Sequence, residues 1–191
     1  MYRILFLLTL LAAACPAVQA GQLAGVEVKD QVTNADGTTL QLNGMGLREK
    51  LWIDVYVGSL YLETPSQDPA EIIAQPGAFR VQMDFLYKEV SGKKLADAWR
   101  EGFEKNQSAD SLAKLSVRIE KFNALFSESA VTGDRILIDY LPSQGVRVIK
   151  NGKLLGTIEG EDFKQALLAI WLGEAPADKE LKEGMLGGRE E

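Results

Sequence analysis

Arg48 is the side chain in this sequence best suited to hold an anion. It follows Gly44-Met45-Gly46, where the missing Cβ atoms let the backbone come close to a ligand. Its planar fork donates two parallel hydrogen bonds, which suits a carboxylate or an enolate. The plainer reading is a surface arginine leading into a strand. Tyr56 is the second candidate, a phenol on the less aliphatic face of an extended segment, able to complete an anion site with Arg48 or simply to pack in the core. Eight residues of straight strand would hold the two roughly 26 Å apart, so cooperation requires the chain to fold back between them. Asp54 reads as a buried acid or, better, as a partner for a neighbouring Lys.

The other carboxylates form no constellation. Asp30 with Asp36, and Glu159 with Glu161 and Asp162, lack the spacing of a calcium loop and read as turn and cap residues. Glu101 and Lys105 form an ordinary (i, i+4) pair. The chain has no histidine, and its one cysteine is Cys15. Ser-His-Asp and Cys-His nucleophilic schemes, and zinc sites built on His or Cys, are therefore excluded downstream of Cys15. The sequence calls for no metal and no cofactor. The formal net charge is −6, and the Lys and Arg residues are scattered rather than striped with aromatics, which argues against a nucleic-acid partner.

Residues 1–20 read as an export signal. Arg3 is the positive end, Ile4 to Ala14 an apolar run too short to span a bilayer, and Val18-Gln19-Ala20 a small-x-small cleavage site. Cleavage after Ala20 leaves a single domain over 21–191, periplasmic or secreted, with no later apolar run of membrane-spanning length. Two alternatives stand beside this. One is an uncleaved short anchor. The other is lipidation at Cys15, whose preceding Ala12-Ala13-Ala14 loosely matches a lipoprotein box.

The elements that must position Arg48 and Tyr56 follow from periodicity. Leu23 to Val28 and Thr38 to Leu42, separated by the turn-forming Asn34-Ala35-Asp36-Gly37, read as paired strands. A long strand is expected from about Lys50 to Glu63, with a bulge at Gly58-Ser59. Pro69 to Gln75 reads as a helical turn and Ala78 to Leu86 as a strand. Ser91 N-caps a helix to Gln107 carrying Leu95, Ala98, Trp99 and Phe103 on one stripe, and Asp110 caps a second carrying Leu112, Leu115, Ile119 and Phe122. Strands over 134–141 and 145–150 precede an Asn151-Gly152 hairpin into 153–158. A helix from Glu161, a short one within 176–186 and a tail close the chain. This order predicts an α+β fold, a mostly antiparallel sheet with helices on one side.

Leu42-Asn43-Gly44-Met45-Gly46-Leu47-Arg48 and Val55-Tyr56-Val57-Gly58-Ser59-Leu60-Tyr61-Leu62-Glu63 resemble the chalcone isomerase family, most nearly its exported bacterial chalcone isomerase-like members. The strand ending near Phe85, the Ser91–Asn106 segment, Asn151-Gly152-Lys153 and Ala169-Ile170-Trp171-Leu172-Gly173-Glu174 agree in order and spacing. The resemblance implies an open-faced β-sandwich with a ligand cleft between sheet and helices. Arg48 falls on the arginine that holds the developing phenolate in the plant enzymes. The family's catalytic Thr falls on Tyr56, its Tyr, Lys and Asn on Ser91, Lys94 and Ala98, and a later Thr or Ser on Ile170. Fatty-acid-binding members of the fold use an Arg and a Tyr at the positions of Arg48 and Tyr56 to hold a carboxylate, and this branch fits better. The expectation is a non-catalytic protein binding a small apolar carboxylic acid such as a fatty acid. The alternatives are an isomerase-type intramolecular lyase acting on a flavonoid or similar enone through Arg48 and Lys94, and an interaction protein with a vestigial cleft.

Overall fold

The computed structural model describes residues 21–188. The expected leader, with Cys15 and Ala20, and residues 189–191 lie outside the described residues. β1 (Gly21–Leu23) and β2 (Val26–Val28) form a small hairpin of their own. β3 (Gln31–Thr33) leads into the long β4 (Thr39–Lys50), which turns at once into β5 (Ile53–Leu62). α1 (Pro69–Ala74), β6 (Phe79–Phe85) and the short β7 (Glu89–Val90) precede the helical pair α2 (Gly92–Asn106) and α3 (Ala109–Ala124). β8 (Ala130–Val131), β9 (Arg135–Leu141), β10 (Gly145–Lys150) and β11 (Lys153–Ile158) follow, then α4 (Glu161–Leu172) and α5 (Lys179–Met185).

The main sheet has seven strands in the order β11-β10-β9-β6-β5-β4-β3, every pair antiparallel. The helices lie on one of its faces, so the architecture is the α+β open-faced sandwich that the alternation and the resemblance predict. Tyr56, Phe85, Met83, Val81, Ile138 and Val148 face the helices across adjacent strands and join α4's Phe163, Leu167 and Trp171 in one core. α4 is buried nearly all round, as a helix must be when sheet and helices enclose it. The opposite sheet face carries ion pairs, Arg80–Asp139 and Arg135–Asp84, each at 2.6 Å.

Four expectations are corrected. Lys50 to Glu63 is not one strand: Lys50 pairs with Ile53, and Leu51-Trp52 is a two-residue hairpin turn with both residues at positive φ (52° and 60°). The alternating sequence hides this turn because neither residue is the Gly or Asn that such turns favour. Leu23 to Val28 does not pair with Thr38 to Leu42. It folds on itself at Ala24-Gly25, and β3 takes its place beside β4. Gly58-Ser59 is no bulge; the register runs unbroken through Gly46↔Gly58, and the irregularities fall at Asn43 and Val55. Finally, Ser108 rather than Asp110 caps α3, its hydroxyl accepting from the Ser111 amide at 3.2 Å. Asp110 sits in the first turn, where its charge complements the helix dipole.

Candidate functional site

The hairpin at Leu51-Trp52 brings the two sequence candidates together. Arg48 and Tyr56 are direct cross-strand partners, so their side chains leave the same face as neighbours. The separation expected of one straight strand is thereby removed. Just beyond this pair Val55 is the extra residue of a bulge, which bends the tip of the hairpin away from the sheet's line.

Beside the pair lies a cavity of about 740 Å³, between the ends of β4–β6, helix α2 and the segment joining α4 to α5. This is within the roughly 300–1,000 Å³ of small-molecule sites. Its wall is mainly apolar: Val55, Met83, Phe85, Leu95, Trp99 and Ile170 all contribute. Its exposed mouth carries charged residues, Lys50, Lys94 and Lys105 beside Glu89, Asp97 and Glu101, together with the apolar Leu51 and Ile53.

Arg48 is largely buried, its side chain 21% exposed, and Asp178 is 15% exposed. Arg48 Nη1 donates to Asp178 Oδ2 at 3.2 Å and to the Glu49 carbonyl at 3.1 Å. A guanidinium has five N–H donors, and Nε and Nη2 of Arg48 form no hydrogen bond among the described residues. Asp178 also N-caps α5, its Oδ1 accepting from the Glu180 and Leu181 amides at 2.9 and 3.1 Å. One carboxylate thus fixes both the helix start and the arginine.

Tyr56 is buried, and its hydroxyl accepts a hydrogen bond from Trp171 Nε1 at 3.2 Å. The phenol proton is left without an acceptor among the described residues. Burial raises the Tyr56 hydroxyl above its ordinary 10.0, the nearby Arg48 charge and the Trp171 hydrogen bond pulling the other way. The group therefore stays protonated, and a donor, at neutral pH.

Gly44 and Gly46 do have a backbone close to them, but it belongs to α5 and not to a ligand. A Cβ on Gly46 would stand 2.8 Å from Leu181 Cα and O, and one on Gly44 would meet the Gly184 carbonyl. The glycines let α5 lie flat on β4, which sets Asp178 over Arg48.

The remaining candidates are dispersed. Lys94 is exposed at the cavity mouth. Ser91 N-caps α2 through the Lys94 amide. Ala98 and Ile170 put only methyl groups on the wall where the resemblance places an Asn and a hydroxyl. Asp54 is exposed and pairs with no Lys among the described residues. It faces Glu49 across the hairpin, and burial followed by the charges of Asp54, Glu180 and Asp178 raises the Glu49 carboxyl above its ordinary value. Asp36 accepts from the Thr38 amide within its turn, and Asp162 binds Arg118 with both oxygens at 2.6 Å.

Sequence reasoning missed Asp178 and Asn106. Asn106 holds the α4–α5 segment against α2, donating to the Gly102 and Ala175 carbonyls at 3.0 and 2.9 Å and accepting from the Ala175 amide at 3.1 Å. The only local signal was for Asp178, an N-cap residue just ahead of Lys179-Glu180-Leu181.

A family model described as chalcone isomerase-like matches residues 20–187. The chain belongs to the chalcone isomerase-like family. No curated protein matches it. Among solved structures, this chalcone isomerase-like chain is similar to a fatty-acid binding protein of Arabidopsis thaliana, with a TM-score of 0.67 and 17% identity over 88% of this chain and 96% of the other. At that identity the likeness is one of fold.

Proposed function

We propose that this protein binds a small apolar carboxylic acid, such as a fatty acid, and catalyses no reaction on it. The observation that carries the reading is the pairing of Arg48 with Tyr56 at the edge of a mainly apolar cavity. The free Nε and Nη2 donors of Arg48 and the Tyr56 proton supply charge-assisted hydrogen bonds to a carboxylate. The apolar wall takes the tail, at about 0.8 kcal/mol per buried methylene. The fatty-acid binding protein of the same fold supports the choice of ligand class. In this reading residues 1–20 direct export and are removed after Ala20, and the protein works in the periplasm or outside the cell.

The test is native mass spectrometry of protein purified from its own compartment, followed by titration with dodecanoate. A co-purified or added acid that remains bound, with affinity lowered by about 2–3 kcal/mol in Arg48→Ala, is the expected result. A clean spectrum and no dodecanoate binding overturn the reading. The same spectrum gives the N-terminus: a chain starting at Gly21 supports export with cleavage, and a lipid mass on Cys15 replaces it with an anchor. Lys94 at the mouth of the same cavity keeps one other reading open to test, an enone lyase using Arg48 and Lys94. Chalcone turnover abolished by Arg48→Ala would establish it.

A further inference from the structure

We propose that the tip of the β4–β5 hairpin, Leu51-Trp52-Ile53, docks the cavity mouth onto a lipid bilayer, so that an apolar acid passes between bilayer and cavity without crossing water. The ligand half of this statement rests on the binding reading above; the docking half does not.

The tip is the most exposed apolar feature among the described residues: Leu51 is 76% exposed, Trp52 91% and Ile53 41%. Its backbone is costly. Leu51 and Trp52 both lie in the left-handed region, which side chains with a Cβ adopt at a penalty. The same protein shows the ordinary solution elsewhere. The two-residue turns at Ala24-Gly25 and Asn151-Gly152 each place Gly at the second position, as such turns favour. At Leu51-Trp52 the chain adopts the strained form with two large apolar residues, and neither joins the core.

The tip is also continuous with the cavity. Leu51 and Ile53 contribute to the lining, next to Val55 and Tyr87, so apolar surface runs from the turn beside Trp52 into the interior. An indole at the very end of a projecting turn is the side chain best fitted to the boundary of a membrane, apolar in body and with one N–H for the headgroup layer.

A bilayer fits this surface better than a protein partner does. Even a Trp buries only about 150–250 Å², so three side chains fall short of the roughly 800 Å² per partner that a stable protein interface uses. A fluid apolar phase requires no matching groove. The mouth itself is balanced in charge, with Lys50, Lys94 and Lys105 against Glu89, Asp97 and Glu101. Docking is therefore expected on zwitterionic lipid, with little dependence on salt.

The experiment uses the purified chain and vesicles of phosphatidylcholine, with Leu51→Asn combined with Trp52→Gly as the variant. These substitutions install residues that the turn favours, so the fold is retained, and an unchanged or raised melting temperature checks this. The parent is expected to float with vesicles. Its acrylamide quenching is expected to fall several-fold on binding, because Trp99 and Trp171 are buried and Trp52 dominates the quenchable emission. The variant is expected to stay in the aqueous fraction and to take up a fluorescent long-chain acid from vesicles at least tenfold more slowly, while Trp52→Gly alone, which leaves every lining residue in place, keeps the parent's affinity for water-soluble octanoate. Vesicle binding that survives the double substitution overturns the proposal, as does a tip-dependent dimer with no affinity for vesicles. Absence of vesicle binding with octanoate binding intact overturns the docking alone. Vesicle binding with no octanoate binding overturns the ligand reading alone.

Discussion

Asp178→Asn should make the protein bind an apolar acid more tightly. The parent Asp178 carboxylate stands 3.2 Å from Arg48 Nη1 and competes with any carboxylate offered to the same guanidinium. A ligand head group on the free side of that fork lies about 5 Å from Asp178, where two unit charges repel by roughly 3 kcal/mol at an effective dielectric near 20. Both side chains keep some contact with solvent, which screens this further. The net gain on removing the charge is about 1–2 kcal/mol, or roughly five- to thirtyfold in affinity. The helix cap survives, because Asn Oδ1 can accept from the Glu180 and Leu181 amides as Asp does. Calorimetric titration with dodecanoate reads the effect, and dodecanol serves as the uncharged control. The acid is expected to gain and the alcohol to stay level. A fall in dodecanoate affinity, or equal changes for acid and alcohol, would refute the idea that Arg48 receives the head group.

Three further outcomes follow from the geometry. Gly46→Ala drives a methyl group against the α5 backbone at Leu181, so urea unfolding should show a loss of about 1–3 kcal/mol, with weaker dodecanoate binding as Asp178 shifts. Asn106→Ala removes two hydrogen bonds to Ala175 of the α4–α5 segment and one to Gly102 within α2; a stability loss of about 1–3 kcal/mol and faster release of dodecanoate in stopped-flow are expected. Tyr61 is buried with no partner for its hydroxyl among the described residues, and burial pushes that hydroxyl from 10.0 up to about 12. Below pH 10 the group is protonated folded or unfolded and adds no pH dependence. Between pH 10 and about 12 the unfolded chain loses the proton first, so stability falls by up to about 1.4 kcal/mol per pH unit. Tyr61→Phe should flatten that alkaline limb in urea titrations while leaving stability at pH 7 nearly unchanged.

The order of strands and helices was readable because period-two and period-3.6 patterns each report which face meets the core. The Ala78–Leu86 strand, the Asn151-Gly152 hairpin and the helix from Glu161 stand where their patterns put them. The β4–β5 hairpin was not readable. Leu51 to Val57 alternates without a break, and Leu-Trp is poor turn chemistry, so the local pattern argues for a continuous strand. Only the tertiary structure overrides it, and that override turns two distant candidates into cross-strand partners. The glycines near Arg48 were read as an approach for a ligand, but a helix more than a hundred residues downstream is what lies against them. Asp178 shows only its cap in the sequence; its pairing with Arg48 carries no mark, because the two are 130 residues apart and only folding joins them.

The most direct measurement of the head-group assignment is the titration of carboxyl-labelled dodecanoate by carbon-13 NMR, bound to the parent and to Arg48→Gln. In the parent the bound carboxyl should titrate below the free acid, because the guanidinium favours its charged form. In Arg48→Gln it should titrate above the free acid, since burial then acts without compensation. A bound carboxyl that titrates like the free acid in both proteins would place the head group in water and contradict the account.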